Sequence, residues 1–417
     1  MKKEIQSIAM LSTHGYFDPV PKLGRVDTGG QVVYVLQLAK AIAASGIKVD
    51  IFTRWFDQGQ QQIDPVPGHP GVRVIRIPAG PWKFLTKEVI YDVLPELATN
   101  MIAFINHNKE YDLYHGHYVD AGVVTLDVAS ALKKPAFFTA HSLGAWKREQ
   151  MGGDPEKMEM KFNFNYRIAQ EQRIFDEVRG QTVTSILQKE KLFELYNIHR
   201  ENIEVIPPGV DLKRFHPAND TDRKLFAQIP DNYIFCLSRI DTNKGHDLLL
   251  NAFDLIRKKF PGLLLVIGGG SPEPNDRELE VFETMDTIIR EKGMEKQVML
   301  IGYVPDELLV AYYQKCRFFV LPSIFEPFGM TSQEAMACAK TVVASKYGGI
   351  RNVIRHRENG MLIDPRDANE FADVMTELIR NEQLAMDMGQ TANLMIQEEF
   401  GWEAIGGRFL DFYRKCC

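Results

Sequence analysis

The chain has little of what would place it in a membrane or an oxidising compartment. Its five cysteines are odd in number and lack metal-like spacing. Its longest apolar runs, such as Leu263–Ile267, are far too short to span a bilayer. The first residues lack the long apolar core of a signal peptide. These absences predict a cytoplasmic protein with reduced thiols and no stable membrane insertion.

The charge of the chain gives no sign of a nucleic-acid partner. Lys and Arg total 49 and Asp and Glu total 55, so the net charge is 49 − 55 = −6, and the basic residues form no long run. Two nucleotide-binding motifs are also missing. No G-x-x-x-x-G-K-[ST] occurs, and "GGGSPEP" starts a G-x-G-x-x-G pattern at Gly268 but has Glu273 where the third glycine belongs. P-loop and hydride-transfer functions therefore lose support.

Short β-branched runs alternate with helix-period runs along the whole chain, for example the predicted helices Gly30–Ala44 and Lys87–Asn106. This alternation predicts parallel sheets with helices on both faces. "IPPGVD" (Ile206–Asp211) separates two complete βα series and marks the boundary between residues 1–208 and 209–399. We expect two doubly wound domains facing each other across a cleft, with ligands at the carboxyl ends of the strands.

Two glutamates bracket a corner in "SIFEPFGMTSQEAMA" (Ser323–Ala337). Thr331 followed by Glu334 fits a capping box, which is a purely structural interpretation. Glu326 lies before the corner, where a cap does not explain it. A ligand site at the start of this helix is the alternative.

Cations follow another predicted strand, in "CLSRIDTNKG". Arg239 offers a forked donor for phosphate oxygens and Lys244 a point charge, so the pair could hold a diphosphate without a metal. In the first domain, "DTGGQ" opens a helix. Its glycines suit close approach of an anion, and a plain Asp27 or Thr28 cap is an equally open alternative.

Histidines end two further strands. "HGHYVDAG" (His115–Gly122) lacks a third ligand with metal-like spacing, so a polar sugar-binding edge of His117, Tyr118 and Asp120 is favoured over a metal. His141 follows a buried-looking strand, where a hydrogen-bonded spacer and a catalytic group are equally plausible.

The motifs "DTGGQVVY", "HSLGAWK", "PPGVD", "SRIDTNKG" and "EPFGMTSQEAMA" resemble, in this order, the retaining glycosyltransferases of family 4, in particular the sucrose-phosphate synthase group. The resemblance implies the α/β fold called GT-B, with two Rossmann-like domains. Residues 1–208, joined by a C-terminal crossover helix (400–417), would bind the acceptor. Residues 209–399 would bind the nucleotide sugar. No cofactor or metal is implied.

The resemblance also implies site residues. The residues implied in catalysis are His141, Arg239, Lys244 and Glu326. The residues implied in binding the nucleotide sugar are Gly29, Gly30, Arg239, Lys244, Glu326, Phe328, Gly329, Met330, Thr331 and Glu334. The residues implied in binding the acceptor are Gln31, Lys87, Tyr118, Lys147 and Arg167. One position departs from the pattern: Tyr166 stands where sucrose-phosphate synthases tend to have a second arginine.

The implied reaction is hexosyl transfer from GDP-mannose or UDP-glucose to a sugar phosphate, fructose 6-phosphate, giving mannosylfructose phosphate or sucrose 6-phosphate. The sequence has no carboxylate pair that suits double displacement. This absence favours same-face substitution, with the departing phosphate as the base. Other possibilities stay open: an unphosphorylated, lipid or glycan acceptor, an epimerase or phosphorylase on the same fold, and a nucleotide-sugar sensor without turnover.

Overall fold

The chain folds into two compact α/β units. The computed structural model describes residues 4–21, 29–151, 154–324 and 326–417. Unit 1 comprises Met1–Gly209 with Trp402–Cys417, and unit 2 comprises Val210–Gly401. Asp27 and Thr28, the alternative cap residues of the first helix, lie outside the described residues.

Unit 1 is built on a sheet of eight strands among its described residues. The strands are β1 (Ser7–Leu11), β2 (Lys48–Trp55), β3 (Ile63–Pro65), β4 (Val72–Pro78), β5 (Leu113–His117), β6 (Ala136–Thr139), β7 (Gly180–Val183) and β8 (Ile203–Val205). Their order is β3-β4-β2-β1-β5-β6-β7-β8, and only the β3–β4 pairing is antiparallel. The strand order reverses between β1 and β5, which is where such sheets bind ligands.

Helices cover both faces of the sheet of unit 1, so its central strands are buried; all five residues of β1 and all five of β5, for example, are buried. The helices are α1 (Gly30–Ala43), α2 (Leu94–His107), α3 (Val119–Leu132), α4 (Gly144–Met151), α5 (Pro155–Phe162), α6 (Phe164–Glu177), α7 (Ile186–Tyr196) and, from the end of the chain, α14 (Trp402–Cys416). Helix α14 packs against α1, and its buried side chains complete one face of the core of unit 1.

Unit 2 contains a wholly parallel sheet. Its strands are β9 (Tyr233–Leu237), β10 (Leu264–Gly268), β11 (Val298–Gly302), β12 (Phe319–Leu321), β13 (Val342–Ser345) and β14 (Met361–Ile363). Its helices are α8 (His246–Arg257), α9 (Asp276–Lys292), α10 (Asp306–Lys315), α11 (Met330–Ala337), α12 (Ala368–Arg380) and α13 (Glu382–Glu399). The order β11-β10-β9-β12-β13-β14 is the doubly wound Rossmann order, with its reversal between β9 and β12.

The predicted parallel βα architecture is confirmed. One predicted helix was wrong over its N-terminal residues. The pattern predicted a continuous helix over Lys87–Asn106, whereas Lys87 lies in a turn, a 3₁₀ segment follows at Ile90–Val93 and α2 begins at Leu94. Pro95 explains the difference, because its ring is tolerated only in the first turn of a helix. Within the described parts of the chain, every helix is too short or too polar to traverse a lipid bilayer.

Candidate active site

In unit 2, two predicted loops meet where the strand order reverses. One loop follows β9 and carries Arg239 and Lys244, and the other follows β12 and carries Glu326. The backbone joins them, because the Ile324 N–H donates to the Asn243 carbonyl over 3.0 Å. The parallel pairing of β9 with β12 therefore brings these two sequence motifs to the same edge of the sheet.

Lys244 and Glu326 form a buried ion pair. The Lys244 Nζ lies 2.6 Å from Glu326 Oε2, with side-chain exposures of 6% and 17%. Arg239, by contrast, is exposed, and no described residue forms an ion pair with it. Removal of either partner of such a pair leaves an uncompensated charge in a site of low exposure, which typically costs about 3–5 kcal/mol. Glu326 thus neutralises Lys244, while the charge of Arg239 faces solvent.

The first turn of α11 is not capped as the sequence suggested. The N-cap is Gly329, at φ 99°, and it has no side chain to satisfy the first N–H groups of the helix. A Cβ at Gly329 would lie 2.8 Å from Leu321 Cδ2, so glycine is required both by φ and by packing. The Thr331–Glu334 capping box was therefore wrong: Glu334 accepts the Tyr313 hydroxyl over 2.7 Å instead.

The surroundings of Glu334 favour its protonated form. Burial raises the pKa of Glu334 from its ordinary value of 4.5 to about 7, although the hydrogen bond from Tyr313 and the charge of Arg214 act in the opposite direction. Tyr313, in α10, was missed by the sequence interpretation. Its spacing there is that of an ordinary core residue, and only the fold shows that it reaches Glu334.

In unit 1, four of the five predicted acceptor residues line one pocket. Lys87, Tyr118, Lys147 and Arg167 come from four separate segments and line one small pocket that is open to solvent. The remaining lining residues, which the sequence interpretation missed, are Glu88, Tyr91, Phe162 and Phe164. The pocket thus contains three cationic side chains and one carboxylate.

Arg167 is held firmly in the wall of this pocket. It is 4% exposed and donates to Glu171 Oε1 over 2.8 Å and to the Ser142 carbonyl over 3.0 Å. Its guanidinium carbon lies 4.7 Å from the centre of the Tyr118 ring. Burial works against its charge, but Glu171 and Tyr118 keep the pKa of Arg167 above its ordinary value. Glu171 was also missed, because one-turn spacing alone does not distinguish a buried pair from a surface pair.

Tyr166, the position that departs from the family pattern, lies beside the same pocket. Its ring packs edge-on against Tyr91 with centroids 4.8 Å apart, and it is 41% exposed. A neutral aromatic side chain therefore occupies the place of a second cation.

Gln31 and the two glycines lie at the N-terminus of α1. Gln31 Nε2 donates to the His117 carbonyl over 3.1 Å and to Ser12 Oγ over 3.3 Å, so it is not a lining residue of the pocket. Gly29 is the N-cap of α1 with φ −146°, and a Cβ built there would meet no described atom within 4 Å. Neither the backbone angle nor the packing of the described residues explains a glycine at this position.

His141 has an unusual backbone. Its φ is 52°, in the left-handed region, and the Ser142 N–H donates to the Ala140 carbonyl across it over 2.5 Å. Non-glycine residues adopt positive φ rarely, and such conformations concentrate at functional sites. The ring of His141 packs edge-on against Tyr34, with centroids 4.7 Å apart. The Nε2 atom of His141 lies 3.1 Å from the Nδ1 atom of His117.

Of the polar sugar-binding edge predicted from "HGHYVDAG", His117 and Asp120 are fully buried and Tyr118 is 8% exposed. Asp120 accepts from Thr13 and His14 and serves the packing of unit 1. His115 bonds Tyr413 and Thr139 through its two nitrogens. Across residues 4–21, 29–151, 154–324 and 326–417, no three His, Cys, Asp or Glu side chains lie together as metal ligands would.

The sequence matches two family descriptions, one for each half. "Glycosyl transferases group 1" matches residues 219–395, and "Glycosyltransferase Family 4" matches residues 28–214. A mannosylfructose-phosphate synthase of Agrobacterium fabrum is 36% identical over 411 residues, which cover 97% of this chain and 90% of the relative. A D-inositol 3-phosphate glycosyltransferase of Corynebacterium jeikeium is 32% identical over 406 residues, covering 95% and 94%.

A solved structure is similar over the full length. A sucrose-phosphate synthase from Thermosynechococcus elongatus superposes with a TM-score of 0.84 at 29% identity, covering 98% of each chain. The chain therefore belongs to family 4 of the glycosyltransferases and has the GT-B fold. It is a hexosyltransferase related to the mannosylfructose-phosphate and sucrose-phosphate synthases, and the predicted resemblance to the sucrose-phosphate synthase group is confirmed.

Proposed function

We propose that the chain transfers a hexosyl group with retention from GDP-mannose or UDP-glucose to fructose 6-phosphate, giving mannosylfructose phosphate or sucrose 6-phosphate. The observation that carries the proposal is the pocket of Lys87, Tyr118, Lys147 and Arg167. Three cations around one pocket suit a phosphate group, because the guanidinium of Arg donates two parallel hydrogen bonds to phosphate oxygens and Lys contributes a point charge. The names of all three relatives above include a phosphorylated carbohydrate or inositol.

The nucleotide sugar is assigned mainly to the loops of unit 2. Arg239 and Lys244 would bind the diphosphate, and the free N–H groups of Phe328–Thr331 at the start of α11 would support it. Glu326 would accept from hydroxyls of the hexose and Glu334 from those of the ribose. In unit 1, Gly29, where a Cβ would meet no described atom within 4 Å, and Gly30 would let the backbone approach the diphosphate.

The proposed mechanism needs no carboxylate nucleophile, which agrees with the contacts of the two glutamates. Glu326 is paired with Lys244, and Glu334 is bonded to Tyr313. The bond between the anomeric carbon and the β-phosphate oxygen breaks while the acceptor hydroxyl attacks from the same face. The departing phosphate oxygen takes the acceptor proton, and Arg239 and Lys244 stabilise the developing charge. His141 would bind the hexosyl group.

A product assay tests the proposal directly. GDP-mannose, UDP-glucose, GDP-glucose and ADP-glucose are each combined with fructose 6-phosphate, fructose and glycerate derivatives, and products are detected by mass. We expect one disaccharide phosphate, from fructose 6-phosphate. Transfer to unphosphorylated fructose at an equal rate would reject the phosphate pocket, and absence of transfer from every nucleotide sugar would reject the reaction.

A pair of lysine variants tests the acceptor pocket. Lys147 and Lys161 both lie over the ring of Phe162, at 5.4 and 5.5 Å from its centre, but only Lys147 lines the pocket. We expect Lys147→Ala to raise KM for fructose 6-phosphate by roughly 10–100-fold, since a charge-assisted hydrogen bond is worth about 1.5–3 kcal/mol. Lys161→Ala should leave KM near the wild-type value.

The affinity for the nucleotide sugar, measured by calorimetry, completes this comparison. It should be the same in both lysine variants, because neither residue is assigned to that ligand. A similar loss of affinity for both substrates in Lys147→Ala would contradict the assignment.

A further inference from the structure

The hydrogen bond between His117 and His141 restricts where their protons lie. His117 Nδ1 and His141 Nε2 are 3.1 Å apart, so one nitrogen donates and the other accepts. His117 is fully buried, and its other nitrogen, Nε2, has no hydrogen-bond partner among the described residues. The proton of neutral His117 therefore lies either on the shared bond or on a buried, unpaired nitrogen.

The first arrangement is favoured. A buried N–H donor without an acceptor loses its full interaction with water, and orphaned donors are rarer in proteins than orphaned acceptors. With the proton on Nδ1, His117 donates to His141 and leaves only an acceptor unpaired. His141 Nε2 then accepts, and the proton of neutral His141 lies on Nδ1.

The surrounding rings keep both imidazoles neutral. His117 stacks on His115 with centroids 4.3 Å apart, so charging His117 would bring a cation against a buried ring. Burial lowers the pKa of His117 well below its ordinary value and that of His141 to about 3. Gln31 binds the His117 carbonyl, and Tyr34 packs edge-on against His141, so the positions of the two rings are also restricted.

We propose that His117 is a positioning residue that holds His141 in its Nδ1–H form, so that His141 donates a hydrogen bond to an oxygen of the hexosyl group. The second half of this inference rests on the proposed function, which assigns that ligand to His141. In this state His141 has no free basic nitrogen, because Nε2 accepts from His117 and Nδ1 carries the proton. His141 therefore cannot take the proton of the acceptor hydroxyl, which agrees with the departing phosphate as the base.

The tautomer of His141 can be measured without substrate. In protein labelled with ¹⁵N-histidine, two-bond ¹H–¹⁵N correlation spectra distinguish Nδ1–H from Nε2–H, and the signals lost in His141→Gly identify residue 141. We expect the Nδ1–H pattern in the wild-type protein. The Nε2–H pattern would overturn the inference.

Two substitutions at His117 separate positioning from packing. The side-chain amide of Asn places an N–H close to the position of histidine Nδ1, whereas Leu fills similar space without a donor. With matched unfolding temperatures, His117→Asn should keep a kcat about tenfold or more above that of His117→Leu, the scale of a misplaced catalytic group. Equal losses would overturn the positioning role.

The inference and the proposed function fail in different ways. Full turnover in His141→Gly, together with an Nδ1–H signal in the wild type, would overturn the use of His141 in the reaction and the role assigned to His117 there. The proton assignment of the pair would stand. An Nε2–H signal with inactive His141→Gly would overturn the assignment and leave the proposed reaction in place.

Discussion

Glu334 couples the stability of unit 2 to pH. Burial raises its pKa from 4.5 to about 7, so within this range the folded protein holds a proton that the unfolded chain has lost. The free energy of unfolding therefore falls as pH rises from about 4.5 to about 7, and this loss persists above pH 7. Glutamine can accept the Tyr313 hydroxyl equally well but has no proton to lose.

We expect Glu334→Gln to raise the unfolding temperature at pH 8 and to change it little at pH 5. The gain should be on the order of ten degrees at most, since each pKa unit between 4.5 and about 7 corresponds to about 1.4 kcal/mol and 1 kcal/mol to roughly 2–4 °C. Thermal unfolding at both pH values measures it, with Glu283→Gln, an exposed glutamate of α9, as the control. An equal gain at both pH values would show that ionisation is not the cause.

The same residue shows what sequence reasoning can reach. Thr331 and Glu334 have capping-box spacing, and local pattern alone cannot reveal that Gly329 occupies the N-cap. The contacts that decide the role of Glu334 come from Tyr313, on another helix, and are fixed only by folding. The Lys244–Glu326 pair is similar: each residue was predicted, but their contact depends on the pairing of β9 with β12.

At the scale of elements, the contact between α1 and α14 depends on a pair of adjacent glycines. A Cβ at Gly406 would lie 2.9 Å from Ala41 Cβ and 3.2 Å from its backbone carbonyl carbon, whereas a Cβ at Gly407 would meet no described atom within 4 Å. The two positions share a helix and differ in what they face. They therefore form a matched pair.

We expect Gly406→Ala to lower the unfolding temperature and Gly407→Ala to raise it. Gly407→Ala should raise the free energy of unfolding by about 0.5–1 kcal/mol, because alanine loses less conformational freedom than glycine when a helix forms. Gly406→Ala should force α14 away from α1. Because the N-terminus of α1 carries Gly29 and Gln31, which are assigned to the substrates, turnover should fall as well. Thermal unfolding and initial rates check both effects. A stabilising Gly406→Ala would refute the close contact.

Most elements could be predicted from the sequence because most of the parallel strands are short, mainly apolar runs bounded by turn residues. The exceptions have physical causes. The pattern missed β3 and β14, two three-residue strands at sheet edges; β3 contains Asp64 and Pro65 and pairs antiparallel. The meeting of the loops that follow β9 and β12 could be predicted because parallel strands place their carboxyl ends together. The remaining lining of the pocket around Lys147 could not be predicted, because Tyr91 and Phe164 have ordinary core patterns.

At the scale of the whole molecule, the proposed function assigns different ligands to different units. Amide hydrogen exchange tests this division. UDP or GDP should slow exchange in residues 238–245 and 326–337 of unit 2, where the phosphate and ribose contacts are placed. Fructose 6-phosphate should slow exchange around Lys87 and around residues 144–167 of unit 1. Inorganic phosphate serves as a control for the acceptor pocket alone.

The result can contradict the assignment as well as support it. Protection of residues 326–337 by fructose 6-phosphate alone, or of residues 144–167 by nucleotide alone, would reverse the two roles.

The position of α14 has a consequence for the order in which the chain folds during synthesis. Its side chains, among them Phe409 and Tyr413, complete the core of unit 1, yet they are translated after the whole of unit 2. At a translation rate of about 5–20 residues per second, synthesis of residues 210–401 takes roughly ten seconds or more. During this time unit 1 lacks α14. Unit 1 is therefore translated first but completes its core last. Until α14 has been synthesised, the apolar side chains of α1 that it covers lack this partner.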